Sequence, residues 1–307
     1  MEIYGVDVSK EKLDIASKGL VIQVENMTKA IRAFVRKMPA GSIVALEATN
    51  TYHLEMADEC YRAGMRVYVV NPRITRHYRE VKGLRGHTDR MDALTLASFI
   101  EGEHDQLRAY VPKTADQRRL QILIRRRCKL VGIKTQLRHS LTGIKEVRKE
   151  VEALMDRVDA LIAAIELLID KLLEDDPDRK RIEGIVGVGS VVSAALLSDL
   201  RSIEFAKADS FVAFYGLDPR PNQSGKYKGR RKLSKQGQRL GRTLLYNAAM
   251  AAAKTKVWAP IYKACLDRGL SKIESLVIIA RKIAKTVWSI YKHKTTFDPY
   301  RLQVALT

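Results

Sequence analysis

Two hydrophobic rhythms alternate along the first third of the chain. Short runs of period two, or unbroken apolar runs of strand length, occupy Ile3–Val8, Leu13–Ser17, Val21–Glu25, Ile43–Glu47 and Val67–Asn71, and predict five strands. A helical rhythm sets in near Thr28 and again near Tyr52, and Thr88 can cap a further helix that opens Asp89-Arg90-Met91-Asp92. After about residue 105 the strand signals stop. A basic helical stretch leads into Val151, Leu154, Val158, Leu161, Ile165, Leu168 and Leu172, spaced alternately 3 and 4 apart, which is a seam of about three heptads. This seam serves either a partner chain or the preceding basic helix folded against it. Glu174-Asp175-Asp176-Pro177-Asp178 then ends the helix. The remainder is helical, closing on a capping box at Ser271 and Glu274 ahead of Val277, Ile278, Ile283, Val287 and Ile290. A loop-rich interruption spans Pro219 to Lys235. Three domains are expected, at 1–105, 106–178 and 179–307.

Three early strands read as antiparallel, then alternating helix and strand, is the element order of a ribonuclease H-like fold, so the class expected is α/β followed by mainly α. That order gives meaning to four acids. Asp7 interrupts the first strand, Glu47 closes the fourth, and Asp89 and Asp92 share one face of the first turn of a helix. In such a sheet they can meet. Carboxylates converging on one point repel, and a pair of hard divalent ions both removes that penalty and can clamp the attacking and leaving oxygens of a phosphodiester. Taken singly, each acid reads as a solvated charge or a cap; the order of the four makes them candidate metal ligands.

Charge names the substrate class. Lys and Arg number 55 against 35 Asp and Glu, a formal net charge of +20, which suits a protein working against phosphates. No apolar run is long enough to span a membrane, and Met1-Glu2-Ile3 with Asp7 close behind fits no targeting segment, so a cytoplasmic location is expected. Cys60, Cys128 and Cys265 are widely spaced and form neither a disulfide framework nor a zinc motif.

Cations concentrate in two places. Arg118, Arg119, Arg125, Arg126 and Arg127 crowd one helix and cannot share a face, so some are available to nucleic acid. The interruption packs Lys226, Lys228, Arg230, Arg231, Lys232 and Lys235 around glycines and two serines, with no acid among them from Pro219 onward. A serine there can attack phosphorus with cations stabilising the charge that develops, but the residues alone do not separate Ser224 from Ser234. The glycines of Gly184-Ile185-Val186-Gly187-Val188-Gly189 suit a helix-hairpin-helix or a plain tight turn equally.

Together these segments resemble the DEDD transposases of bacterial insertion sequences, described as bridge-RNA-guided recombinases, and the related pilin-gene inverting recombinases. The resemblance spans the chain. It is carried by Gly5-Val6-Asp7-Val8-Ser9-Lys10, Leu46-Glu47-Ala48-Thr49, Val70-Asn71-Pro72, Thr88-Asp89-Arg90-Met91-Asp92-Ala93, Phe211 through Arg220, Gln223-Ser224-Gly225 and Leu233-Ser234-Lys235-Gln236-Gly237. It implies a RuvC-like domain with Mg2+, or Mn2+, on Asp7, Glu47, Asp89 and Asp92, then a coiled-coil dimerisation region and a transposase domain. It further implies that Ser224 attacks DNA to give a phosphoserine link and a free 3′ hydroxyl, a partner subunit's acids completing the site. A structured bridge RNA would pair with target and donor double-stranded DNA, the protein being a homo-oligomer, a dimer that becomes a tetramer on synapsis, associated with the nucleoid when active. His87 and Gly241 depart from the family pattern, where lysine and arginine are usual. The alternative is a junction nuclease with the same acids and water as nucleophile.

Overall fold

The computed structural model describes residues 1–84, 86, 88–224 and 227–303, and the chain divides into two compact units, Met1–Lys113 and Thr114–Thr307. The first is mixed α/β. Its strands are β1 Ile3–Val8, β2 Lys12–Ser17, β3 Leu20–Glu25, β4 Ile43–Glu47 and β5 Arg66–Val70; its helices are α1 Thr28–Val35, α2 Leu54–Arg62, α3 Pro72–Val81 and α4 Asp89–Glu103. One sheet runs β3-β2-β1-β4-β5, antiparallel between β1, β2 and β3 and parallel between β1, β4 and β5. This five-stranded mixed sheet is consistent with the ribonuclease H-like expectation.

Both faces of the sheet are covered over β1, β2, β4 and β5, which is why those strands read as nearly continuous apolar runs, whereas the edge strand β3 is largely exposed. Val6, Val8, Leu13, Ile15, Val44 and Leu46 pack on Ile31 and Val35 of α1 and on Met56 and Cys60 of α2. The opposite face carries Ile43, Ala45, Tyr68 and Val70 against Leu96, Phe99 and Ile100 of α4. Alternation along β1 therefore turns Gly5 and Asp7 toward α4. Gly5 has to be glycine: a Cβ there would lie 2.2 Å from the Ala93 carbonyl oxygen and 2.3 Å from the Ala97 amide nitrogen. The absence of a side chain lets α4 lie directly on the central strand.

The sequence rhythm placed Asn71 in the fifth strand; it caps α3 instead, its side chain accepting from the Arg73 amide at 3.0 Å with Pro72 in the first turn. Helix α3 itself was not foreseen, since its ten residues carry a thin apolar stripe among many charges.

The second unit is helical: α5 Ala115–Ser140, α6 Arg148–Leu172, α7 Pro177–Glu183, α8 Ser190–Ser202, α9 Ala208–Phe214, α10 Arg239–Ala252, α11 Ala259–Asp267, α12 Lys272–His293 and α13 Tyr300–Gln303. Phe211, Tyr215, Trp258 and the inner face of α12 (Ile279, Ile283, Val287, Ile290) centre its core. The heptad of α6 is split between two roles. Met155, Ile162 and Ile169 are buried and Val151, Val158, Ile165 and Leu172 half-buried, so α6 folds back on α5, where Arg127 pairs with Glu166 and Lys134 with Asp159. Leu154, Leu161 and Leu168 stay 42%, 51% and 41% exposed. The glycine turn after α7 is tied to the core, the Trp258 indole donating to the Val186 carbonyl at 2.9 Å.

The basic interruption is a hairpin rather than a loop. β6 Pro219–Ser224 pairs antiparallel with β7 Tyr227–Leu233, with an irregularity between Arg220 and Asn222. Its glycine- and charge-rich composition hides two strands paired through the backbone.

Candidate active site

Of the four acids expected to meet, Asp7 and Asp89 come together with Asp14, and Glu47 and Asp92 lie near enough for their charges to act on Asp7. Strand β1 presents Asp7 to the α4 face, β4 brings Glu47 to its end beside it, and α4 starts at Asp89 because the Thr88 hydroxyl accepts from the Met91 amide at 3.2 Å. Burial, then the charges of Glu47, Asp92 and Asp89, push the Asp7 carboxyl up to about 6.

Five further residues complete the cluster. Asp14 on β2 stands opposite Asp7 in the antiparallel register and is buried, and one carboxylate oxygen each of Asp7, Asp14 and Asp89 lie within 4.8 Å of one another. Gln23 donates to Asp14 at 3.1 Å. Lys12 reaches Asp89 at 2.9 Å and Asp14 at 3.6 Å, which holds the exposed Asp89 carboxyl below its ordinary value. Arg79 of α3 pairs with Asp92, and the Thr75 hydroxyl lies 3.3 Å from Glu47 Oε2. Asp14 was legible from the hairpin register; nothing in the sequence singles out Arg79.

In the second unit Ser224 ends β6, paired across the hairpin with Tyr227. Gly225 and Lys226 lie outside the described residues, as do Arg85 and His87, and so do the side chains of Ser224, Lys228, Arg230 and Arg231. At the hairpin base the Ser234 hydroxyl donates to Asp218. Lys232 and Lys235 are exposed, as are Arg119, Arg125 and Arg126 on α5, whereas Arg127 is engaged by Glu166 at 2.7 Å. Arg118 is half-buried. Gly241 leaves no room for a larger residue: a Cβ there would meet the Tyr215 ring at 2.2 Å.

Two family models match. A DEDD transposase model of IS110 elements covers residues 4–145, and the transposase model of the IS116/IS110/IS902 family covers 179–263. The chain carries both transposase domains of the IS110/IS116/IS902 family. Among its relatives are a probable family 20 transposase of Pseudomonas aeruginosa, 24% identical over 96% of this chain and 98% of the relative, and the IS1111A transposase of Coxiella burnetii, 24% identical over 97% and 91%. The pilin gene-inverting protein of Moraxella bovis is 24% identical over 82% of this chain and 81% of its own length.

A transposase of this family is a DNA transposase or recombinase, and DNA is its substrate. Among the described residues no helix is long and apolar enough to cross a membrane. The DEDD domain points to divalent metal use, and the residues fit. The donor set is entirely carboxylate oxygen, suited to a hard cation, and the raised Asp7 carboxyl marks negative charge in need of a partner.

That strain has a thermodynamic signature. A folded-state value near 6, above the ordinary carboxylate value, means that the Asp7 contribution is full below about pH 4 and is lost as pH rises through 6. In chelator, Asp7→Asn is expected to stabilise the transposase at pH 7.5 by roughly 1–2 kcal/mol after discounting for solvent at a half-buried group, and hardly at all at pH 4. Thermal unfolding at the two pH values checks this. Equal Tm for variant and wild type at pH 7.5 would contradict it.

Proposed function

We propose that this transposase cuts and rejoins DNA by phosphoryl transfer through Ser224, with Mg2+ or Mn2+ held by Asp7, Glu47, Asp89 and Asp92. The reading is carried by the convergence of acids from β1, β4 and α4 on Asp7, a costly arrangement that a hard divalent ion turns to use. A bound ion there would neutralise charge building on the phosphate oxygens. Ser224 Oγ bonds to phosphorus as the bond to the 3′ oxygen breaks; the serine proton passes to a nearby base, and the 3′ oxygen leaves as a hydroxyl. Rejoining is the reverse, with a 3′ hydroxyl of another strand displacing the serine. The engagement of the Ser234 hydroxyl with Asp218 favours Ser224 as the nucleophile.

Guidance by a structured RNA, pairing with target and donor DNA, suits a chain rich in Lys and Arg, since such cations bind phosphate backbones and leave sequence choice to base pairing. Arg119, Arg125, Arg126, Lys232 and Lys235 would supply those contacts. The exposed leucines of α6, Leu154, Leu161 and Leu168, offer the seam for a dimer, and a partner's acids would serve the Ser224 of its neighbour.

Asp7→Asn and Asp92→Asn are expected to lose metal-dependent strand cleavage by on the order of 10³-fold, the scale of several kcal/mol of lost charge stabilisation. Cleavage of a supercoiled donor plasmid with guide RNA, over a Mg2+ series and in chelator, measures it. Undiminished cleavage in chelator would remove the metal from the reaction.

A further inference from the structure

We propose that Arg79 is a positioning residue of the metal site, by which α3, the helix that supplies none of the expected ligands, holds Asp92 in the orientation that divalent ion binding requires. The inference rests on the acidic cluster being that site.

Arg79 is 5% exposed, and its guanidinium donates through one amine to Asp92 Oδ1. The other amine is buried with no hydrogen-bond partner among the described residues. Burying a guanidinium is expensive, and leaving one of its amines unsatisfied adds to the cost. Simple neutralisation needs neither. Lys12 neutralises Asp89 in the same cluster from a position where both side chains stay largely in solvent, 41% and 54% exposed. A guanidinium buried beside Asp92 does what a mobile ammonium cannot, because its own packing fixes the position of the one carboxylate oxygen it holds, Oδ1.

The same helix face carries a second such contact. Thr75 lies one turn before Arg79 and is buried; its hydroxyl is shared between Glu47 Oε2 at 3.3 Å and the Pro72 carbonyl at 3.0 Å. Helix α3 thus touches two of the four acids, and the Asn71 cap and Pro72 fix where its first turn begins after β5. Glu47, Thr75, Arg79, Asp92 and Thr95 line one cavity of about 410 Å³. Arg79, with its one unsatisfied amine, thus lines the same space as Glu47 and Asp92. Groups behind a ligand typically set metal affinity by about 10- to 100-fold.

The test is Mn2+ binding to the full, metal-free chain without nucleic acid, followed by electron paramagnetic resonance of the free ion. Arg79→Gln should bind Mn2+ about 10- to 100-fold more weakly. Removing a cation beside carboxylates would, on Coulomb grounds alone, tighten binding, so the sign separates positioning from charge balance. Arg79→Lys should fall between. In DNA cleavage the deficit should appear in the Mg2+ concentration needed and be recovered at saturating Mg2+. Thr75→Val, which keeps charge and volume, should weaken binding several-fold and decides the matter if Arg79→Gln does not fold. Unchanged or tighter Mn2+ binding in the folded variants overturns the proposal. Asp7→Asn serves as the control: if it binds Mn2+ like wild type, the metal-site reading fails first, and if it abolishes binding while Arg79→Gln and Thr75→Val do not weaken it, only the role of α3 fails.

Discussion

Ser224→Ala is expected to abolish the covalent protein–DNA adduct and to lower strand exchange by about 10⁶-fold, the scale on which loss of a covalent nucleophile is felt. The reason is chemical. Alanine keeps the backbone of β6 and its pairing with Tyr227 but removes the oxygen that would bond to phosphorus. Affinity for DNA and RNA should change little, because that affinity comes from Lys and Arg contacts to phosphates and the serine carries no charge. Ser234→Ala is the matched control. Its hydroxyl is engaged with Asp218, so its loss should loosen the hairpin base and leave the adduct in place. The adduct is read by denaturing gel after quenching a reaction on labelled donor DNA. An undiminished adduct in Ser224→Ala, or one lost in Ser234→Ala alone, would move the nucleophile. Cleavage by the wild type with no adduct at any time would favour water, the junction-nuclease alternative.

The second large effect belongs to Gly5. A methyl group there would have to fit 2.2 Å from one α4 backbone atom and 2.3 Å from another, and backbone cannot turn aside as a flexible side chain can. Gly5→Ala is expected to cost about 3 kcal/mol or more, a fall in Tm of roughly 10 °C for a unit of this size. Activity should fall with it, since the helix displaced is the one that carries Asp89 and Asp92. Gly64→Ala makes a useful contrast: it has a positive φ of 77° but no atom within 4 Å of the added carbon, so its effect is confined to local backbone strain. A Gly5→Ala protein with wild-type Tm and wild-type Mn2+ affinity would mean that α4 does not lie where the sheet places it.

Much of the first unit was legible in the sequence, because four of its five strands are largely buried and its turns are short. The order of the four acids pointed to the sheet end where Asp7 and Asp89 come together and where the charges of Glu47 and Asp92 reach Asp7, and Thr88 announced the helix that carries two of the four. The fifth acid was equally readable in principle. Once Val8 pairs with Leu13, the antiparallel register puts Asp14 opposite Asp7, and only the pairing had to be written out. Arg79 was not readable at all. The positions that α3 buries are polar, Thr75 and Arg79, so no apolar rhythm marks them, and only the packing of α3 beside α4 brings Arg79 to Asp92. The β6–β7 hairpin was missed for the opposite reason: its composition speaks for a loop, while its pairing rests on backbone groups that any residue supplies. The α6 seam was seen one register too simply, since half of its apolar positions face α5 and the remainder face outward.

The split at Lys113 bears on how such a molecule is made. Chains emerge from the ribosome with the amino end leading, and compact units fold as they become available. On the proposed division of labour, the acidic half can finish folding before the strand that carries Ser224 has emerged, so strand transfer through Ser224 waits for the second unit.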